Sequence, residues 1–205
     1  MVNEAFIIRH GETDWNVEGR WQGHSDPTLN TRGQIQAQQL ATYFQAQGVS
    51  LDVIYSSDLQ RAAQTATPLR DALDVPLHYD ARLREIQLGV FQGLTLAEIA
   101  ENYPDAFAAW RSSDLSYAIP EGESRLMLRQ RALAAWNDIT SRSDLGRVAL
   151  VTHGGTIRHL LEQLFPDLPA DFKLHNTGLT TLARQNGAWH LVGLSETPHL
   201  AVTDV

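Results

Sequence analysis

Two segments of this chain share a pattern that would bring reactive side chains to the end of a buried strand. Phe6-Ile7-Ile8-Arg9-His10-Gly11 and Ala149-Leu150-Val151-Thr152-His153-Gly154 each run from an apolar stretch into a histidine and then a glycine. Short apolar runs ending at glycine read as buried strands, and ligands of α/β sheets gather at the carboxyl ends of strands. Two imidazoles are therefore expected at one edge of a sheet, each beside a glycine that lets another group approach the backbone closely. Arg9 and Arg61 add planar donor forks suited to phosphate oxygens. Together these residues suit phosphoryl transfer, which needs a nucleophile placed in line and cations that stabilise charge spread over three equatorial oxygens. A neutral imidazole attacks near pH 7 without a separate base, so His10 is the candidate nucleophile. His153 would offer a hydrogen bond or a positive charge to the same phosphoryl group, and Glu85, after Arg82-Leu83-Arg84, would protonate the leaving oxygen. Arg61 has a blander alternative, an ion pair with Asp58 on a helix surface. His24, His78, His159, His175, His190 and His199 show no metal-ligand spacing and receive no catalytic role. No metal and no cofactor is expected.

The elements that must position these residues are legible from periodicity. Ala5 to Ile8 reads as a strand. Thr31 with Gln34 has capping-box spacing, and Ala37, Leu40, Ala41 and Phe44 then follow a helical face to a stop near Gly48. Val53 to Tyr55 reads as a second strand. Leu59, Ala62, Ala63 and Ala66 make the next helix, which Pro68 is expected to kink or restart. Residues 86–123 differ from this rhythm, with Gly89, Gly93, a capping box at Thr95 and Glu98, Pro104 at a helix start, and the turn-rich Pro120-Glu121-Gly122. They are expected to form a helical insertion near the site, with aromatic residues between 91 and 117 reaching its pocket. The βα alternation then resumes with a helix from Ser124, a strand from Arg147 to Thr152 and a helix through Ile157, Leu160, Leu161 and Leu164. Thr180 to Arg184 and Ala188 to Val192 flank Asn186-Gly187, a favoured two-residue hairpin turn or part of a slightly longer loop. The expected fold is α/β, with a mostly parallel central sheet, helices on both faces and a C-terminal hairpin at one edge.

A chain of 205 residues fits one domain spanning 1–205. Hydrophobic residues at 43% and charged residues at 20% are ordinary for a globular protein rather than a disordered one. Sixteen basic against 24 acidic side chains leave a net charge of −8, which disfavours nucleic acid and anionic membrane surfaces as partners. No apolar run is long enough to span a bilayer, and Met1 to Glu12 lacks the basic and apolar regions of a signal peptide, so the expected compartment is the cytoplasm. The absence of cysteine removes disulfides and thiolate chemistry. Oligomeric state is not legible.

Arg9-His10-Gly11-Glu12-Thr13-Asp14-Trp15-Asn16 resembles the signature of the histidine phosphatase (phosphoglycerate-mutase-like) superfamily. Further segments are similar to that family's landmarks in the same order: Trp21 to Asp26, Tyr55 to Arg61, Leu83 to Ile86, Pro120 to Ser124 and Thr152 to Gly155. The resemblance implies that His10 is phosphorylated during turnover and that Arg9, Arg61 and His153 hold the phosphoryl oxygens with Gly154. It further implies a hydrogen bond from Asn16, substrate contacts at Gln22 and Gly23, Glu85 as proton donor, and no metal.

Within that family the choice lies between a phosphatase, which passes the phosphoryl group to water, and a mutase, which returns it to a sugar acid. A mutase has to grip a bisphosphate and needs additional cations, yet Leu88 to Pro120 contains Arg111 as its sole basic residue against Glu98, Glu101, Asp105 and Asp114. The expectation is a metal-independent phosphatase acting on a small phosphate monoester through a phosphohistidine at His10. Phosphoglycerate mutase is the alternative, and a non-catalytic phosphate-binding module a more distant one.

Overall fold

The structure is a computed structural model that describes residues 1–169 and 171–200. The last five residues of the expected 1–205 span therefore lie outside the described residues. Strands β1 (Glu4–Arg9), β2 (Val53–Ser56), β3 (Leu77–Tyr79), β4 (Arg147–Thr152), β5 (Leu179–Gln185) and β6 (Ala188–Glu196) form one sheet in the order β3-β2-β4-β1-β5-β6. The first four are parallel, whereas β5 runs antiparallel to β1 and β6 antiparallel to β5. The edge hairpin turns at Asn186 and Gly187, whose φ angles of 51° and 83° are both left-handed, as a two-residue turn matching the strand twist requires.

Among the described residues seven α-helices accompany the sheet: α1 (Asp14–Val17), α2 (Thr31–Ala46), α3 (Gln60–Leu73), α4 (Leu96–Asn102), α5 (Pro104–Arg111), α6 (Arg125–Thr140) and α7 (Gly154–Leu164). Period-two alternation sends strand side chains to opposite faces. Phe6, Ile8, Ile54, Ala149 and Val151 pack against Leu40 and Phe44 of α2 and Ala62, Ala66 and Leu69 of α3. Ala5, Ile7, Val53, Val148 and Leu150 meet Ala135, Trp136 and Ile139 of α6 and Ile157, Leu160 and Leu161 of α7 on the other face. Burying each valine, leucine or isoleucine side chain among these contributes roughly 1.5–3 kcal/mol relative to leaving it exposed. The central strands are thus covered on both sides, as their near-continuous apolar runs require.

Residues 86–123 carry α4 and α5 and build a separate small core: Ile86, Leu88, Phe91, Ile99, Phe107 and Ile119 gather against Leu128 of α6, with Trp21 and Trp110 at its border. Three local details differ from the sequence expectation. The N-cap of α2 is Asn30 rather than Thr31, because Asn30 Oδ1 accepts from Gly33 N (2.8 Å) while its Nδ2 donates to Glu12 Oε1 (3.0 Å). Pro68 neither stops nor restarts α3, which continues to Leu73. Its buried face of Arg61, Ala62, Thr65, Ala66 and Leu69 outweighs the one backbone hydrogen bond that proline forfeits. Strand β3 carried no sequence signal; it is three residues long, half exposed and held by pairing to β2.

Candidate active site

Parallel strands β1 and β4 are neighbours in register, with Arg9 opposite Thr152. The next residue of each strand is therefore His10 and His153, and their ring centroids lie 5.2 Å apart at an interplanar angle of 56°. His10 N donates to Thr152 O (2.9 Å), carrying the ladder one step beyond the strands. Both side chains are buried, His10 at 3% and His153 at 0% exposure. A backbone carbonyl can only accept, so the 2.7 Å contact between His10 Nδ1 and Gly11 O puts a hydrogen on Nδ1 and leaves the Nε2 lone pair outward. Burial, aided by the charges of Arg61 and Arg9, holds His10 well below the usual imidazole range. Burial and Arg61 do the same to His153. Both rings are therefore neutral near pH 7, the state in which an imidazole is a nucleophile. His153 Nε2 meets Ser57 Oγ at 2.8 Å, and its buried Nδ1 has no protein partner.

Arg61 projects from the first turn of α3 and is fully buried. Its Nη1 and Nη2 donate to Ser25 O and Gly23 O, both at 2.8 Å, and its Nε is unpartnered. Burial lowers this guanidinium to about 10, which leaves it cationic at neutral pH. It does not pair with Asp58, which Arg84 Nε holds at 2.7 Å. Arg9 Nη1 donates to Leu174 O (2.6 Å), and Arg9 Nε is likewise buried without a partner. Asn16 belongs to the capping box of α1, its Oδ1 accepting from Thr13 N and Thr13 Oγ1 (both 3.1 Å) and from Asn176 Nδ2 (3.3 Å). This fixes the amide so that Nδ2 serves the cavity that Asn16 lines.

Glu85 sits at the amino end of α7. It accepts from Gly155 N (2.9 Å), Thr156 N (3.1 Å) and Ile86 N (3.0 Å). Here the glycine has a plain reason: a Cβ on Gly155 would lie 2.4 Å from Glu85 Oε1, so any side chain would push the carboxylate away. The loop behind Glu85 is held by Arg131 of α6, whose guanidinium donates to Arg82 O (2.9 Å), Arg84 O (2.6 Å) and Glu85 O (2.7 Å). Glu123 holds Arg131 in turn at 2.8 and 2.9 Å. His24 Nε2 donates to the same Glu85 carbonyl at 2.8 Å.

These groups surround a cavity of about 280 Å³ lined by Arg9, His10, Asn16, Gln22, Gly23, Arg61, Glu85 and Gly155. Gln22 Oε1 is buried without a partner. Neither His153 nor Gly154 is on the wall: His153 is fully buried against His10, a Cβ on Gly154 would meet the Arg9 guanidinium at 3.5 Å, and Gly155 is the glycine that lines the cavity. Trp21, Ile86, Leu88, Trp110 and Leu128 form the apolar part of the wall. Of the aromatics expected from residues 91–117, only Trp110 lines it, while Phe91 and Phe107 serve the small core.

Sequence reasoning missed Arg20, Arg158 and His159, which also line the cavity. Arg111, the sole base of the insertion, does not; it lies over the Phe107 ring. Counting charges within Leu88 to Pro120 was thus an incomplete measure of the pocket, because its outer cations arrive from α7 and from the loop after α1. The α7 pair was detectable in principle, since Arg158 and His159 follow Gly154 and Gly155 by four residues, one turn along the same face. Among the described residues, no group of three or more histidine or acidic side chains is arranged to hold a metal.

A model of the histidine phosphatase superfamily (branch 1) matches residues 5–197, nearly all of this sheet and its site. The chain belongs to the histidine phosphatase superfamily. Within that superfamily it is 35% identical over 203 residues to phosphoglycerate mutase-like protein 4 of Arabidopsis thaliana, covering 98% of this chain and 88% of that protein. A mycobacterial glucosyl-3-phosphoglycerate phosphatase, solved with VO3, has a similar structure, with TM-score 0.81, 32% identity and coverage of 95% of this chain and 99% of that one. A phosphoserine phosphatase variant of Entamoeba histolytica in complex with phosphoserine has TM-score 0.83 and 29% identity, covering 96% and 98% respectively. This superfamily member thus has similarity both to a protein named for mutase-like character and to phosphatases of small phosphorylated acids.

Proposed function

We propose that this chain is a phosphatase that takes the phosphoryl group of a small phosphate monoester onto Nε2 of His10 and passes it to water. One observation carries the reading: Arg9 Nε and Arg61 Nε, on two residues that line the cavity with His10, and His153 Nδ1, on the ring 5.2 Å from that of His10, are buried without partners, and both imidazoles are neutral. A buried donor without an acceptor costs free energy, and a phosphoryl group has three oxygens to offer. In the first step the Nε2 lone pair forms the N–P bond as the ester P–O bond breaks, and the leaving oxygen takes a proton from Glu85. A substrate bound as its monoanion can bring that proton. In the second step the Glu85 carboxylate takes a proton from water, the new O–P bond forms, and the N–P bond breaks to restore neutral His10.

Mutase activity is the second reading, favoured by the cations Arg20 and Arg158 on the wall. Arg20, however, is already matched by Glu18 (2.8 Å) and Glu98 (3.3 Å). Five apolar side chains, Trp21, Ile86, Leu88, Trp110 and Leu128, share the wall with these cations. The outer pocket therefore suits a compact leaving group bearing at most one further charge. In a pulse-chase with radiolabelled substrate phosphate, we expect an acid-labile, base-stable protein label that is absent in His10→Ala. The chased label should appear as inorganic phosphate even when 3-phosphoglycerate is in excess. A label that persists in His10→Ala overturns the nucleophile, and transfer of label chiefly to the sugar acid overturns the phosphatase in favour of the mutase.

A further inference from the structure

We infer that His159 selects the substrate: its Nε2 accepts a hydrogen bond from a hydroxyl or ammonium group carried on the leaving group. The inference rests on the reading of this site as a phosphatase and deepens it. Gly155, whose N–H holds Glu85, and His159 are four residues apart and share a face of α7, and both line the cavity. The leaving oxygen belongs beside Glu85, so the atoms bonded to it pass next to His159.

The ring is held in one protonation pattern. His159 Nδ1 lies 3.1 Å from Glu162 Oε2, and Arg129 Nη2 holds that same oxygen at 3.0 Å. An ionised carboxylate only accepts, so Nδ1 carries the hydrogen. Burial, the largest effect, keeps the ring below the usual imidazole range against the opposing pull of Glu162, whose charge Arg129 already offsets. The result is a neutral ring with a lone pair on Nε2, and among the described residues no protein group bonds that atom. An orienting carboxylate behind a ring that lines the cavity and whose other nitrogen is left unbonded is the arrangement of a positioned acceptor.

The complementary group must be a donor, because a carboxylate or second phosphate would set a negative oxygen against the lone pair. Four residues of helix rise only about 6 Å, so His159 stands one turn along α7 from the backbone N–H that holds Glu85. A donor carried within a few bonds of the ester oxygen spans a separation of one helical turn. Trp110, Leu88 and Leu128 supply an apolar wall for the carbon skeleton between them. The implied substrates are monophosphates of short hydroxy- or amino-substituted alcohols.

The test compares donor-bearing and donor-free probes of matched size. Affinities of 3-hydroxypropylphosphonate and butylphosphonate would be measured by calorimetry, and kcat/KM for 2-hydroxyethyl phosphate and propyl phosphate by phosphate release. We expect wild type to prefer the hydroxyl-bearing member of each pair by about 10-fold, the scale of one hydrogen bond plus the cost of leaving an acceptor unpaired. In His159→Phe the ratio should fall to about 1, while His159→Gln, which keeps an acceptor, should retain part of it. Because each ratio is internal to one variant, loss of folded protein cancels. Equal binding of the two phosphonates by wild type, or an unchanged ratio in His159→Phe, overturns the inference. A preserved binding preference in a protein that never labels His10 would uphold it and remove the phosphatase reading instead.

Discussion

At the scale of single residues, the chemistry turns on which atoms of two groups are already spoken for. His10 Nδ1 is committed to Gly11 O, so only Nε2 can attack. Glu85 is committed too, as a cap on α7 that accepts three backbone N–H groups. Its proposed duty as acid depends on the leaving group, because an alkoxide needs a proton as the P–O bond breaks whereas p-nitrophenolate departs unaided. Glu85→Gln should therefore slow phosphoenzyme formation by roughly 10²- to 10⁴-fold for alkyl phosphates and far less for p-nitrophenyl phosphate. Single-turnover kinetics is the right measurement, since slow hydrolysis of the phosphoenzyme would hide the contrast in steady state. Equal losses for both leaving groups would take the acid role from Glu85. Two other carboxylates are poorly free to take it over, Glu123 being held by Arg131 and Gln87 N, and Glu12 by Asn30 Nδ2.

At the scale of elements, the site was legible wherever chemistry coincides with local pattern. The strand ends at His10 and His153 could be read from apolar runs and glycines, and the Arg9–Thr152 register explains why two distant segments arrive side by side. Features set by tertiary contact were not legible. Asn30 displaces Thr31 as the cap because Glu12 waits for its amide, and α3 survives Pro68 because its other face is buried. Arg131 is the strongest such case, because three carbonyls from residues 82–85 converge on a helix 46 to 49 positions away. Removing its guanidinium leaves Arg82 O without its donor and takes one of two donors from Arg84 O and Glu85 O and the ion pair from Glu123, a loss of about 2 kcal/mol on the scale of broken buried networks. Arg131→Leu should lower the urea midpoint accordingly. It should also depress turnover of alkyl phosphates more than that of p-nitrophenyl phosphate, since the loop it releases carries Glu85. A stability loss with the same fractional loss on both substrates would make Arg131 a structural residue and not a positioning one.

At the scale of the whole molecule, an anionic chain with a net charge of −8 keeps five histidines below the usual imidazole range: His10, His24, His153, His159 and His199. Burial is the first cause in each, and it brings His199 to about 4. The unfolded chain binds a proton at each of these rings once the pH falls below about 6.5, while the folded chain does not until its own lower value is reached. The unfolded state thus holds more protons across that window, so stability is fully present above about pH 6.5 and drains away as the solution is acidified. Each such ring costs about 1.4 kcal/mol per pH unit between its two values. The urea midpoint should therefore fall markedly from pH 7.5 to 5.5, before most carboxylates titrate. Vanadate, which mimics the five-coordinate phosphoryl group, should flatten that fall. An oxyanion among Arg9, Arg61 and the two buried imidazoles favours the protonated rings, which raises their pKa and reduces the difference from the unfolded chain. His24, His159 and His199 lie outside the oxyanion's contacts in this reading, so a residual slope should remain with vanadate saturating. A midpoint independent of pH in this range would show that the buried histidines are protonated in the fold, and with that the neutral nucleophile at His10 would be lost.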